Sequence, residues 1–161
     1  MNRDAVDNEL AQLGFEFFFW YARFEAALKA NGYLKHEKPG DRAAPSWKRF
    51  VRRWETQYIA SDQAAKLIAL APQAQIVGAG KTLVWTATTI PVGSSALHTT
   101  VLMLNTVRNN LFQGGVHGSL DWNDTQRTRE LLAASRPLLD ELAHFGGFYK
   151  NFLQIPQGNA G

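Results

Sequence analysis

Apolar residues recur at helical spacing through most of this chain, and turn-forming residues break the pattern into segments. Residues 5–31 read as one long helix stopped at Asn31-Gly32. Its middle, Phe15 to Phe24, is apolar on more than one face, which fits either a central core helix or one buried against a second subunit. A polar, breaker-rich loop follows over 35–45 and carries His36 alone, read as a solvated residue. Ser46 is placed to cap a second helix whose face is Trp47, Phe50, Val51, Trp54 and Tyr58. Ser61 opens a third helix over Asp62 to Ala71, closed by Pro72.

The stretch 75–85 reads as an extended loop with room for a small hairpin turning at Gly78-Ala79-Gly80, Val84 and Trp85 packing inward. Gly80-Lys81-Thr82 imitates the end of a phosphate-binding loop, but that motif needs Gly where Gln75 stands, so nucleotide binding is set aside. Ser94 or Ser95 then caps a helix bearing Leu97, Val101, Leu104 and Leu111 on one stripe, stopped by Gly114-Gly115. Asn123 with Gln126 forms a capping-box pattern for a last long helix from Asp124 to Phe145. Its buried face is read as Leu131, Leu132, Leu138, Leu139, Leu142 and Phe145, with Pro137 expected to kink or divide it. Phe148 to Ile155 can add a final turn.

The pattern therefore predicts an all-α chain: an up-and-down bundle of four or five helices, with a long loop before the fourth. Residues 1–155 are expected to form a single domain and 156–161 a frayed tail. A hydrophobic content of 45% is enough for a core and excludes general disorder. The absence of Cys rules out disulfides, thiolate metal sites and Cys nucleophiles, and fits a reducing, cytoplasmic setting. No carboxylate cluster suggests a metal, and no cofactor motif is present. Residues 1–7 lack a basic region followed by an apolar run, so no secretion signal is expected, nor is a membrane span. A net charge of +3 and a pI near 9.3 mildly favour an anionic partner.

Two features carry candidate chemistry. On the second helix Lys48, Arg49, Arg52 and Arg53 lie off the apolar face, which suits a solvated face, RNA phosphates or an anionic membrane. Trp47 and Trp54 are better used in the core than on a membrane. On the fourth helix Arg108 interrupts the apolar stripe, where a charge is costly unless it is paired, snorkels to solvent or opens into a cleft. Asn105, Asn109 and Gln113 make a polar line beside it.

Arg108-Asn-Asn-Leu-Phe-Gln-Gly-Gly115 resembles the signature helix of the HEPN superfamily, small all-α domains many of which are metal-independent ribonucleases. Trp20 to Tyr33 resembles the first helix of one bacterial group of that superfamily. In the family an Arg, usually followed by a polar residue, precedes a His after four to six intervening residues. Arg108 and Asn109 match, while Gln113 stands at the His position. The resemblance implies a homodimer through the signature and first helices that joins two motifs in one cleft. It also implies cleavage of RNA, tRNA included, by attack of the ribose 2′-hydroxyl, in a toxin–antitoxin or phage-defence setting with an antitoxin or defence protein as a further partner.

Arg108 can offset charge on the phosphoryl oxygens, and Asn109 can orient the phosphate. Gln113 does not titrate near neutral pH, so it cannot move the proton. Three accounts stay open: the chain binds RNA without cutting, His117 has taken over, or Gln113 is a silencing substitution. His117 follows Arg108 with eight residues between, outside the family spacing. His98 is more than two turns before Arg108, too far to share its phosphate, and His144 reads as a cation at a helix C-terminus. A non-catalytic dimerisation or interaction module is the competing class of function.

Overall fold

A computed structural model describes residues 8–112 and 125–154. Among them are six α-helices and one antiparallel hairpin: α1 Asn8–Ala30, α2 Trp47–Trp54, α3 Asp62–Leu70, β1 Gln73–Val77, β2 Leu83–Ala87, α4 Ala96–Phe112, α5 Thr125–Phe145 and α6 Tyr149–Leu153. The chain is thus mostly helical, as its periodicity predicts. None of the described helices is long and apolar enough to cross a membrane.

Local chemistry sets the helix ends. Gly32, at φ +82°, takes the left-handed turn after α1, so that Tyr33 N donates to Leu28 O at 2.9 Å and Gly32 N to Lys29 O at 3.1 Å. Gly147 repeats this arrangement after α5. Ser46, Ser61 and Ser95 each accept a backbone N–H in the first turn of α2, α3 and α4. Ser95, rather than Ser94, is the cap of α4.

One continuous apolar core joins the helices. α5 packs on α1 and α3, while α6 packs on α1 and α5. The aromatic centre is Phe24, fully buried, stacked on Trp47 with ring centroids 4.6 Å apart and edge-on to Phe148 at 5.2 Å. Trp47 is therefore anchored on one side by α1, which fixes how α2 presents its polar side.

Pro137 does not divide α5, which runs unbroken past it. The pairs Leu131–Leu132 and Leu138–Leu139 flank the proline and are all essentially inaccessible. Burying each contributes about 1.5–3 kcal/mol, together more than the ~3 kcal/mol an internal proline costs.

The hairpin is present, with its turn at Gly78 to Thr82 and Gly80 in the left-handed region at φ +64°. The expectation that Val84 packs inward fails. Val84 and its cross-strand partner Ile76 are 44% and 48% exposed, because among the described residues that face of the ribbon meets α4 only at its base, where Ala74 and Thr86 are half-buried and the Thr88 hydroxyl meets that of Thr106. Trp85 is half-buried. The buried Asn110 of α4 donates through Nδ2 to Gln73 O at 2.7 Å and ties the base of the hairpin to the bundle.

Candidate functional site

Arg108 projects from α4 beside α1 and the start of α2. Its guanidinium carbon lies 4.2 Å from the centroid of Phe112 and 5.8 Å from that of Tyr21. One terminal nitrogen donates to Asn109 Oδ1 at 3.1 Å. Nε is shut off from solvent with no hydrogen-bond partner, and no carboxylate among the described residues pairs with the charge. Of the arrangements that make an Arg tolerable on a core-facing stripe, this is the cleft. A hollow of about 330 Å³ is lined by Arg108, Asn109, Asn105, Tyr21, Glu25, Lys35, Pro45 and Trp47.

Three elements bring those side chains together. Asn105 and Arg108 are three apart on α4, hence on one face. Tyr21 and Glu25 are four apart on α1. Lys35 comes from the loop, whose two ends are pinned by Lys35 N donating to Ala44 O at 2.9 Å and by Ser46 N donating to Tyr33 O at 2.8 Å. Trp47 completes the wall and donates through its indole N–H to Glu25 Oε1 at 3.0 Å.

Tyr21 is buried, and its hydroxyl donates to Asn105 Oδ1 at 2.6 Å. Burial, with the Glu25 carboxylate in support, raises its phenol well above the usual tyrosine value, against the opposing pull of Arg108. The phenol therefore stays protonated and serves as a fixed donor. Asn105 Nδ2 has no hydrogen-bond partner among the described residues and remains available to an acceptor at the groove wall.

The hollow continues along α2. Two adjoining recesses, of about 560 and 430 Å³, also include Trp47 and Asn105 in their walls. The first adds Lys48, Arg49 and Arg52, and the second adds His98 and Glu55 beside Lys48 and Arg52. The groove between α2 and α4 thus holds the cations Lys35, Lys48, Arg49, Arg52 and Arg108 against the carboxylates Glu25 and Glu55. Glu55 accepts from the Ser95 hydroxyl at 3.0 Å. The excess of positive charge suits a polyanion.

Of the sequence-predicted residues, Arg108, Asn109, Lys48, Arg49 and Arg52 line this groove, although Arg49 is already paired with Glu37. Arg53 does not: it turns over the ring of Trp54, 4.4 Å from the centroid. Gln113 and His117 lie outside the described residues, as do Gly114-Gly115 and the Asn123 cap. His36 is exposed in its loop, and His144 stacks on Tyr149 at 3.6 Å while its Nδ1 meets Asp140 O at 2.9 Å. Sequence reasoning missed Tyr21, Glu25 and Lys35, and spent Trp47 wholly on the core. The i, i+4 spacing of Tyr21 and Glu25 is a signal in the sequence, whereas Lys35 depends on the loop closure and leaves none.

Beside Arg108 lies exposed aromatic surface: Phe112, 60% exposed, meets Phe18 edge-on at 4.3 Å. Phe15, 68% exposed, stacks on Phe19 further toward the start of α1.

No family model matches the chain, and no curated protein or solved structure compared with it matches either.

Proposed function

We propose that this chain is an RNA-binding domain of HEPN type, with Arg108 as the group that meets the scissile phosphate. The observation that carries the reading is the unpaired Arg108 guanidinium opening into a hollow with Lys35, Asn105 and Asn109. An Arg with no described ion-pair partner and an open guanidinium edge gains most from a ligand that brings two oxygens to its fork, as a phosphodiester does. In the reaction, the 2′-oxygen forms a bond to phosphorus as the bond to the 5′-oxygen breaks. Negative charge builds on the two non-bridging oxygens, where Arg108 offsets it. The proton leaving the 2′-hydroxyl needs an acceptor and the departing 5′-oxygen needs a donor, roles Gln113 cannot fill. Losing such help costs about 10²–10⁴-fold in rate, so cleavage by this chain is slow or absent.

In this reading two copies pair through α1 and α4. The support for pairing is the exposed ring of Phe112, which packs on Phe18 and lies against Arg108, together with exposed Phe15 further along α1; both gain by leaving water. The same surface favours the second reading, an interaction module without chemistry.

Incubation with total tRNA in EDTA, beside Gln113→His and Arg108→Ala, separates them. The expected result is RNA binding by the unaltered chain, cyclic-phosphate ends produced by Gln113→His, and loss of both with Arg108→Ala. No binding and no cleavage by either the unaltered chain or Gln113→His leaves the interaction module in its place.

A further inference from the structure

Three recesses share Trp47 and Asn105, so the groove does not end at Arg108 but runs back along α4 to His98. His98 and Arg108 are ten positions apart on one helix. At 1.5 Å per residue that separation is about 15 Å, more than one phosphate-to-phosphate step of a strand and within the reach of an octanucleotide. The far recess, about 430 Å³, offers Lys48 and Arg52 from α2 and the His98 imidazole from α4. Its acid, Glu55, is held by the Ser95 hydroxyl. With Lys48 and Arg52 against this one carboxylate, the charge at this end is net positive. Between the two ends stand an indole half-exposed in the groove wall and an amide nitrogen without a partner.

The geometry points to a lengthwise single-strand RNA track along α2 and α4. One phosphate lies at Arg108 and a second at Lys48, Arg52 and His98, with a base against Trp47 and Asn105 between them. This rests on the RNA-binding reading above and adds the path of the strand. A single strand is favoured over a duplex because an aromatic wall between two cationic ends serves bases that are unpaired and free to stack.

The test uses the full chain with two uridine oligoribonucleotides, a dinucleotide followed by NMR titration and an octanucleotide followed by fluorescence anisotropy. The dinucleotide spans only the Arg108 end, whereas the octanucleotide reaches both. With Arg52→Gln, on an exposed position of α2, octanucleotide affinity should fall about five- to twentyfold. The slope of log affinity against log salt should lessen by about one. His98→Ala should also weaken the octanucleotide, and neither variant should move the dinucleotide more than about twofold. Arg108→Met should weaken both. If Arg52→Gln and His98→Ala leave the octanucleotide unaffected while Arg108→Met weakens it, the lengthwise track is wrong and the RNA-binding reading stands. An octanucleotide duplex that binds as tightly as the single strand also overturns the track. No binding of either oligonucleotide by the unaltered chain overturns both readings.

Discussion

Replacing Arg108 with Met separates what the residue does for the fold from what it does for a ligand. In the folded chain its Nε is sequestered without a partner, which costs about 1–3 kcal/mol relative to water. Its compensation is the contact with Phe112, worth about 0.5–1 kcal/mol, and one hydrogen bond to the exposed Asn109. Met keeps an apolar stem of similar reach over Phe112 and removes the stranded donor. The two sides nearly cancel, so stability should change by less than about 1 kcal/mol, on the stabilising side. For a chain this size that is a rise of about 0–4 °C in Tm. A phosphate loses hydrogen bonds to a charged group worth about 1.5–3 kcal/mol, or about 10–150-fold in Kd. Circular-dichroism melts and RNA anisotropy on the same samples read both quantities. A Tm lower by more than about 5 °C would show that Arg108 is a structural residue, and unchanged RNA affinity would remove it from the site.

Asn110→Leu removes the bond to Gln73 O, so it should cost about 1–3 kcal/mol and speed amide exchange in Gln73–Val77 and Leu83–Ala87 ahead of the helices. Equal protection in both proteins would mean that the hairpin is held by other contacts. Burial raises the phenols of both Tyr21 and Tyr58 above the ordinary tyrosine value of about 10. The folded state then keeps protons that the unfolded state gives up. Stability from this source is complete below pH ~10 and falls as pH rises beyond it, and Tyr21→Phe should flatten that fall in urea titrations at high pH. An unchanged alkaline slope in Tyr21→Phe would place the loss elsewhere. Gly147→Ala puts a side chain at φ +76° and should lower stability by about 1 kcal/mol, seen as a lower urea midpoint, with RNA affinity unaltered.

The helices were legible because each carries its own instructions. Ser46, Ser61 and Ser95 stand where side-chain oxygens can take the first free N–H groups, and Gly32 and Gly147 where only a left-handed residue closes the end. The undivided α5 and the exposed Val84 share one reason. A local rule does not say what packs nearby: four buried leucines stand around Pro137, whereas Val84 lies toward the open end of the hairpin. The groove was only half legible. Asn105, Arg108 and Asn109 share a helix, so their spacing places them together. Lys35 reaches the hollow only because Leu34 pairs with Pro45 across the loop, a contact no periodicity encodes.

The Arg53 result sharpens the argument about charge. Arg52 and Arg53 are neighbours in a run that reads as one basic face, yet one lines the groove and the other lies over Trp54. On a helix, adjacent residues point about 100° apart, so a basic run is divided by the faces available to it. Trp47 fixes those faces, because Phe24 clamps one side of its ring and Glu25 holds its indole N–H. The aromatic core of α1 therefore decides which cations of α2 stand opposite Arg108. Arg108 itself breaks the rule that a core-facing stripe stays apolar, and no described carboxylate forms an ion pair with it, although Glu25 lines the same hollow. A local violation left uncompensated within the fold marks a position kept for something outside it. The groove around this Arg, where no described carboxylate is within ion-pair distance of it, is where that ligand belongs, and the sign of the Arg108→Met stability change reports directly whether the charge is unpaired.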